Sequence, residues 1–324
     1  MRVSFYLPRP FLPSEEKQIA WREGRAVSLE MEGKIATAQA WIFQTWIFLQ
    51  RAGFHAGLVH DFPSDGIVIT LAGSLPPRIR PPRGLFIADV VSDGLPHPAA
   101  HVHIVQNALH ARRLPGAVFM PHWPQPGIIP RDPTREDAFE RIAFFGDKKN
   151  LAPELRDAQW QKKLQNTTGV TLEIRGADRW HDYHDVDAAL AIRDFRGLRQ
   201  LHKPATKLYN AWLAGVPFIG GTDSACAAEG NEGRDHLTAR RPEDVLAHLE
   251  NLRRDKILRH SLVNEGKTRA ADYSVEALTT RWRKLAGETI PAMAAKRAGR
   301  AQWFNFCGDA AMRVACAADR IFRS

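Results

Sequence analysis

The sequence predicts an α/β protein of two domains, each built on a parallel sheet, facing each other across a cleft. Three observations predict it. Short apolar runs alternate with helical segments along the chain, which is the pattern of strand–helix–strand crossovers. A proline-dense stretch, with Pro115, Pro121, Pro124, Pro126, Pro130 and Pro133, divides this alternation in two as a domain boundary would. The length of 324 residues suits roughly two domains, and 44% hydrophobic residues supply material for two cores.

In the first half, residues 3–7 read as a strand. Residues 29–52 read as one long helix with Ile35, Ile42, Trp46 and Leu49 on its core-facing stripe. Trp41, Trp46 and Phe48 on that helix read as core rather than as a ligand-stacking platform. Strands follow at 56–59, 67–71, 85–90 and 102–106, and loops at 61–65, 92–94 and the rigid, basic, proline-rich 74–84. A fresh series begins after the proline-dense stretch. It has a strand at 141–145, a helix at 151–164, a strand at 170–175 and another within 185–195. A helix then starts at Lys203 and ends at Gly215, followed by an apolar strand at 216–219 that stops at Gly220 and Gly221. Helices at 243–252, 256–265 and 275–285 complete the series. Two consecutive Rossmann-like domains result, at 1–120 and 121–285, with a helical tail at 286–324 expected to dock on the first. A ligand belongs at the carboxyl ends of the strands, between the domains.

The net charge of +9 calls for an anionic partner or surface: nucleic acid, a nucleotide diphosphate or an anionic membrane. The local basic clusters at 78–83, 240–241, 253–259 and 296–300 are not long runs interleaved with aromatics, so no nucleic-acid partner is expected; a solvated basic surface is the other reading. Cys226, Cys307 and Cys316 are odd in number and lack metal-ligand spacing, which suits free thiols in a reducing cytoplasm. The opening MRVSFYLPRP predicts no signal peptide, and the apolar stretch at 35–49 is too short and too polar to span a bilayer. A cytoplasmic protein is the expectation.

The most informative segment is KPATKLYNAWLAGVPFIGG at 203–221. Read as a helix opening at Lys203 and Pro204, it places Lys203, Thr206 and Lys207 in the first turn. There the free backbone N–H groups and the positive dipole end favour an anion, and two ammonium groups make a diphosphate site. Gly146, Asp147 and Lys148 follow the strand at 141–145 and precede a helix, so glycine lets the backbone approach a phosphate and Lys148 adds charge; an ordinary strand-to-helix turn would look the same. Arg193 leaves the carboxyl end of an apolar strand and either forks onto phosphate or pairs with Asp194.

The same segment carries a resemblance. KLYNAWLAGVP is similar to the donor-binding helix of nucleotide-sugar glycosyltransferases with the two-Rossmann-domain GT-B fold, in which a helix ending in Ala-x-Gly-x-Pro leads into a buried strand. PHWPQPG at 121–127, FFGD at 144–147 and HKPATKLYNAW at 202–212 resemble, in that order, phrases of bacterial family 1 (group 1) glycosyltransferases, and the likeness covers about 101–285. It implies that the Gly146–Lys148 loop and the later helix face one nucleotide diphosphate. The donor-site residues are then Gly146, Lys148, Arg193, His202, Lys203, Thr206, Lys207, Asn210, Gly220 and Gly221. No metal and no further cofactor are expected. His202 and Asn210 stand where retaining members place glutamates, so this chain lacks that pair of carboxylates, and the ribose contact and stereochemistry stay open. A smaller resemblance, of Thr206-Lys207-Leu208-Tyr209-Asn210-Ala211 to the fucosyltransferase signature Thr-Glu-Lys-x-x-Asn-Ala, also lacks the glutamate.

His122 in the linker is the candidate general base, since imidazole titrates near neutrality; a ring packed with Trp123 among prolines is the alternative. His60, Asp61 and Asp65, after an early strand, could activate an acceptor, and Gly33 and Lys34 could line its side of the cleft. Asp185-Val186-Asp187 imitates a metal-binding DxD motif but precedes its apolar run rather than following it, so it reads as a polar turn. The tail from Pro291, with Lys296, Arg297, Arg300, Arg313, Arg320 and Arg323 among aromatics, either docks on the first domain or touches an anionic membrane, peripherally at its inner face. The function expected is glycosyl transfer from a nucleotide-sugar donor to an unidentified acceptor. A nucleotide-sugar epimerase of the same fold and a non-catalytic basic nucleic-acid-binding protein are the alternatives.

Overall fold

A computed structural model describes residues 1–23 and 33–299, together with Val314, Ala317 and Ala318. The start of the expected long helix at 29–32 and most of the tail beyond 299 lie outside the described residues. These divide into two compact units. One is drawn from Met1–Trp123, Leu201–Pro204 and Val275–Ser324, the other from Pro124–Gln200 and Ala205–Ser274.

The first unit opens with β1 (Val3–Tyr6) and α1 (Glu15–Arg22), whose N-cap Ser14 accepts from Lys17 N–H. The expected long helix is three pieces: α2 (Gly33–Ala38), a π-helical turn at Gln39–Phe43, and α3 (Gln44–Arg51). A π turn inserts one residue, so positions before it rotate out of register with those after it. Ile42 and Leu49 are therefore fully buried while Ile35 is 37% exposed, against the single stripe expected. Trp41 is buried as core. Strands β2 (Gly57–Val59), β3 (Gly66–Leu71), β4 (Leu85–Val90) and β5 (Val102–Val105), helix α4 (Ala108–Arg113) and strand β6 (Ala117–Phe119) follow. The sheet is parallel throughout, in the order β2-β1-β3-β4-β5-β6. β6 falls where only proline-rich linker was expected. Phe5, Ile69, Phe86 and Ile104 fill one face of this sheet, and Val68, Leu85 and Ile87 the other.

The second unit contains β7 (Arg141–Phe145), α5 (Pro153–Arg156), α6 (Ala158–Thr168), β8 (Thr171–Arg175) and β9 (Ala188–Ala191). The helix expected at 151–164 breaks at Asp157, whose carboxylate caps Gln159 and Trp160 N–H. Then come α7 (Thr206–Ala214), β10 (Phe218–Gly220), α8 (Ser224–Glu229), β11 (Leu237–Thr238), α9 (Pro242–Arg254) and α10 (Lys256–Ala270). Its five parallel strands run β11-β10-β9-β7-β8. From β7 the chain adds β8 on one side and β9 on the other, so the order reverses between β7 and β9. Ligands of open α/β sheets collect outside the carboxyl ends at such a reversal.

The chain returns to the first unit with α11 (Val275–Lys284), a second π turn at Leu285–Thr289, and α12 (Ile290–Ala298). Leu278, Trp282, Leu285 and Ile290 join the core formed by α3 and the sheet. No described helix is long and apolar enough to cross a membrane.

One packing detail in the second unit yields a stability test. A Cβ on Gly266 of α10 would lie 2.5 Å from Cδ1 of Trp212, the buried indole that backs α7 and donates to the Asp235 carbonyl at 3.0 Å. Gly266→Ala therefore gains helix propensity but overpacks the α7–α10 contact. The expected net loss is about 1–3 kcal/mol, read as a lower urea midpoint at unchanged slope.

Candidate functional site

Helix α7 begins at Thr206, three residues later than the sequence suggested. The physical reason lies in residues 202–204 themselves. Gln106 Nε2 donates to the His202 carbonyl at 2.7 Å and Asn107 Nδ2 to the Lys203 carbonyl at 3.3 Å. Pro204 has no N–H to give, and it biases Lys203 away from helical backbone. Lys203 therefore does not lie in the first turn of α7. Its ammonium sits 3.1 Å from Asp93, inside the first unit, and the backbone carbonyl of His202 is taken by Gln106.

Thr206 and Lys207 are the first two residues of α7. The Thr206 hydroxyl oxygen is buried and has no hydrogen-bond partner among the described residues. Such an orphan demands an explanation, and here it stands where the helix offers its free N–H groups. The Lys207 ammonium lies 5.4 Å from the centre of the Phe144 ring. Its Cε would be 3.5 Å from a Cβ on Gly146, which would also press on the Phe144 ring at 3.1 Å. Absence of a side chain at Gly146 thus leaves the lysine stem its path along the end of β7. The Gly146 turn and the Lys207 stem lie side by side at the end of β7.

Lys148 is exposed in the turn at Lys148–Asn150, which Asp147 caps through Lys149 N–H. Arg193, just past β9, does not pair with Asp194. That carboxylate accepts from Arg196 N–H and Gln200, whereas Arg193 Nε lies 3.9 Å from Asp223. Asp223 occupies the N-cap of α8 without making a cap hydrogen bond, so its side chain serves something other than the helix start. Nearby, burial and then the Asp223 charge push the Cys226 thiol up, while Arg193 and Lys207 pull it down. Both cations are therefore within electrostatic reach of one point. Gly146 after β7 and Arg193 after β9 flank the reversal of strand order, and Lys207 and Asp223 complete the cluster.

Other expected members are elsewhere. Asn210 is buried, and its Oδ1 accepts from Gln125 N–H at 3.0 Å, fastening the segment after Trp123 to α7. Gly220 and Gly221 allow close packing at the end of β10: a Cβ would meet the Phe218 ring at 2.9 Å and Ile192 Cγ2 at 3.3 Å respectively. Asp223 is the member that sequence reasoning missed. The signal was an aspartate just past a glycine-terminated strand and just before a helix.

In the first unit, the ends of β4, β5 and β6 bring forward Asp93, Gln106 and His122. Gln106 also donates to Asp93 at 3.2 Å. Ser92, beside Asp93, has φ +50°, a left-handed conformation uncommon outside glycine and asparagine that often marks a functional loop. The His122 ring packs edge-on against Trp41 at 4.7 Å, and its Nδ1 donates to the Trp123 carbonyl at 2.6 Å. That leaves the Nε2 lone pair as the basic position. Burial lowers its pKa, against the pull of the Trp123 carbonyl and the Asp93 charge, so the neutral form is favoured.

His60 Nδ1–H donates to the Leu7 carbonyl at 2.9 Å, while Asp61 and Asp65 pair with Arg9 and Arg2, each at 3.7 Å. Gly33 and Lys34 open α2, and the Lys34 side chain lies outside those described. The DxD look-alike is occupied by arginines. Asp185 takes Arg141 and Arg175, and Asp187 takes Arg131 and Arg135. Among the described residues, no group of histidines, cysteines and carboxylates is arranged to hold a metal ion.

No protein-family model matches the sequence, and no curated protein does. Solved structures match at low identity. The chain is similar to AviGT4, a glycosyltransferase involved in avilamycin A biosynthesis, at 13% identity over 89% of this chain and 98% of that one, with TM-score 0.50. It is similar to HepE from Anabaena, solved with UDP and glucose, at 8% identity over 89% and 100%, TM-score 0.50. It is also similar to an S. aureus TarM mutant solved with fondaparinux, α-GlcNAc-glycerol and UDP, at 9% identity over 76% and 59%, TM-score 0.51. The chain thus spans about three-fifths of TarM. These neighbours are GT-B glycosyltransferases, and the two parallel-sheet units described above are that fold.

Proposed function

We propose that the protein is a glycosyltransferase that moves a sugar from a nucleoside diphosphate donor to an acceptor hydroxyl without a metal ion. The observation that carries the reading is the convergence of Lys207, Arg193, the Gly146 turn and the first turn of α7 at the strand-order reversal of the second unit. Transfer breaks the bond between the sugar and the diphosphate, and negative charge grows on the departing oxygen. Preorganised cations and backbone N–H groups aimed at that charge lower the barrier. Lys207 and Arg193 would supply it, with Thr206 O–H as a further donor and Asp223 holding Arg193 in place until the donor arrives. Lys148 is a peripheral cation of the same site. His122, neutral at pH 7 with Nε2 basic, is the proposed acceptor base. Lys203, His202 and Asn210 are proposed to frame the donor helix rather than to touch phosphate. Contact with an anionic membrane, where a lipid-linked acceptor would be met, belongs to the same proposal.

The test is thermal stabilisation by UDP, GDP, CDP, ADP and dTDP in the presence of chelator. UDP is the first to try, because HepE and the TarM mutant were solved with it. One nucleotide at a hundredfold excess over its Kd is expected to add about 2.7 kcal/mol. No shift with any of the five sinks the reading and favours a basic binding protein, which salt-sensitive RNA or DNA affinity would then report.

A further inference from the structure

The connection from β3 to β4 presents a strongly cationic surface that the glycosyl-transfer reading does not use. Residues 76–84, PPRIRPPRG, carry three arginines and no acid. Four prolines restrict the backbone, and hydrogen bonds pin it at both ends. The Pro76 carbonyl accepts from Ile79 N–H at 3.1 Å and from His97 Nε2 at 3.1 Å. At the far end, Leu85 N–H donates to the Pro82 carbonyl at 3.0 Å, and Gly66 N–H to the Gly84 carbonyl at 3.0 Å. Leu75 and Leu85, the two roots of the loop, are both buried in one apolar cluster.

On this frame Arg78, Arg80 and Arg83 are all exposed, and none forms an ion pair with a described carboxylate. Asp65, the acid lying against Gly84, is engaged by Arg2 at 3.7 Å. Ile79, half-buried, stands between two of the arginines. Guanidinium groups carried on a restrained backbone can fork onto phosphate oxygens without the backbone first giving up much conformational freedom. The segment has no aromatic ring on which a base could stack, which is what single-stranded nucleic-acid surfaces use. An array of lipid phosphates needs only charge, and Ile79 gives the loop a small apolar point to bury at the headgroup boundary.

We propose that the loop of Arg78, Arg80 and Arg83 is a docking surface for an anionic membrane. The inference rests on the membrane contact included in the proposed function and moves it from the tail to this loop; it is independent of the nucleotide site.

The experiment is co-sedimentation of the full chain with vesicles of phosphatidylcholine, with and without phosphatidylglycerol. The wild type is expected to bind only the phosphatidylglycerol vesicles and to release them at about 1 M salt, where the screening length falls to about 3 Å. Arg78→Gln, Arg80→Gln and Arg83→Gln together are expected to weaken partition about 100-fold, corresponding to about 1 kcal/mol for each arginine. Lys162→Gln, Lys163→Gln and Lys256→Gln together remove the same charge from the second unit and should leave partition within about threefold. If the wild type binds anionic vesicles but the arginine variant binds equally, or the lysine variant loses as much, the loop is not the surface although the membrane contact stands. If the wild type ignores vesicles and binds single-stranded RNA instead, the membrane contact fails as well. Circular dichroism of each variant confirms that these exposed substitutions leave the fold intact.

Discussion

Replacing Lys207 with methionine is expected to weaken nucleoside diphosphate binding about 10- to 100-fold and to abolish the thermal shift at a concentration that half-saturates the wild type. The magnitude follows from one charge-assisted contact to phosphate, worth about 1.5–3 kcal/mol. Methionine is the informative choice. The lysine stem packs beside Gly146 and Phe144, and methionine keeps an unbranched apolar stem there while removing only the charge. Lys207→Ala should bind no better than the methionine variant, and Lys207→Arg should recover part of the affinity as a cation of different shape. Isothermal titration with the nucleotide selected by the panel is the measurement. Equal affinity in wild type and methionine variant would show that the diphosphate lies elsewhere, even in a protein that binds the nucleotide.

The two-unit α/β fold was legible because its signals are local. Apolar runs such as LFIADV and RIAFF declare buried parallel strands, and Gly215 and Pro217 mark the turn from α7 into β10. Gly146 and Lys207 stood out for the same reason: a glycine after a strand and a lysine at a helix start each carry their chemistry in their immediate neighbours. What escaped depends on distant partners. The backbone at His202 and Lys203 is held by Gln106 and Asn107, each 96 residues away. The partner of Arg193 is Asp223 rather than the adjacent Asp194, because strand order places the ends of β9 and β10 side by side. β6 was hidden because its three residues, AVF, sit among prolines that read as linker. The out-of-register Ile35 reflects a π turn that no periodicity announces.

The DxD look-alike illustrates the same limit and leads to the largest stability effect expected. Asp187 is 2% exposed and accepts from Arg131, Arg135, and the backbone N–H groups of Glu140 and Arg141 at 2.8–3.1 Å. It therefore fastens the segment that leads into β7 onto the start of β9. Asp187→Ala is expected to destabilise the second unit by about 3–5 kcal/mol, because it strands two partly buried guanidinium groups and two amides. Asp187→Asn should cost less, since one oxygen still accepts. The pH dependence has a definite sign. Burial alone would raise the Asp187 carboxyl, but Arg135, the Glu140 and Arg141 amides and Arg131 together hold it below its ordinary 3.8. Asp185 is held at about 2 by Arg175 and Arg141 against its own burial. A depressed carboxylate pKa contributes stability that is complete above the unfolded value and is lost as pH falls through the folded one, because the unfolded chain binds more protons. Urea unfolding of the wild type should therefore weaken progressively from about pH 4 down towards pH 2, and the asparagine variant should show a shallower slope over the same range. An alanine variant within about 1 kcal/mol of wild type at pH 7 would mean that the two arginines find other partners, and that Asp187 is not what holds the segment to the sheet.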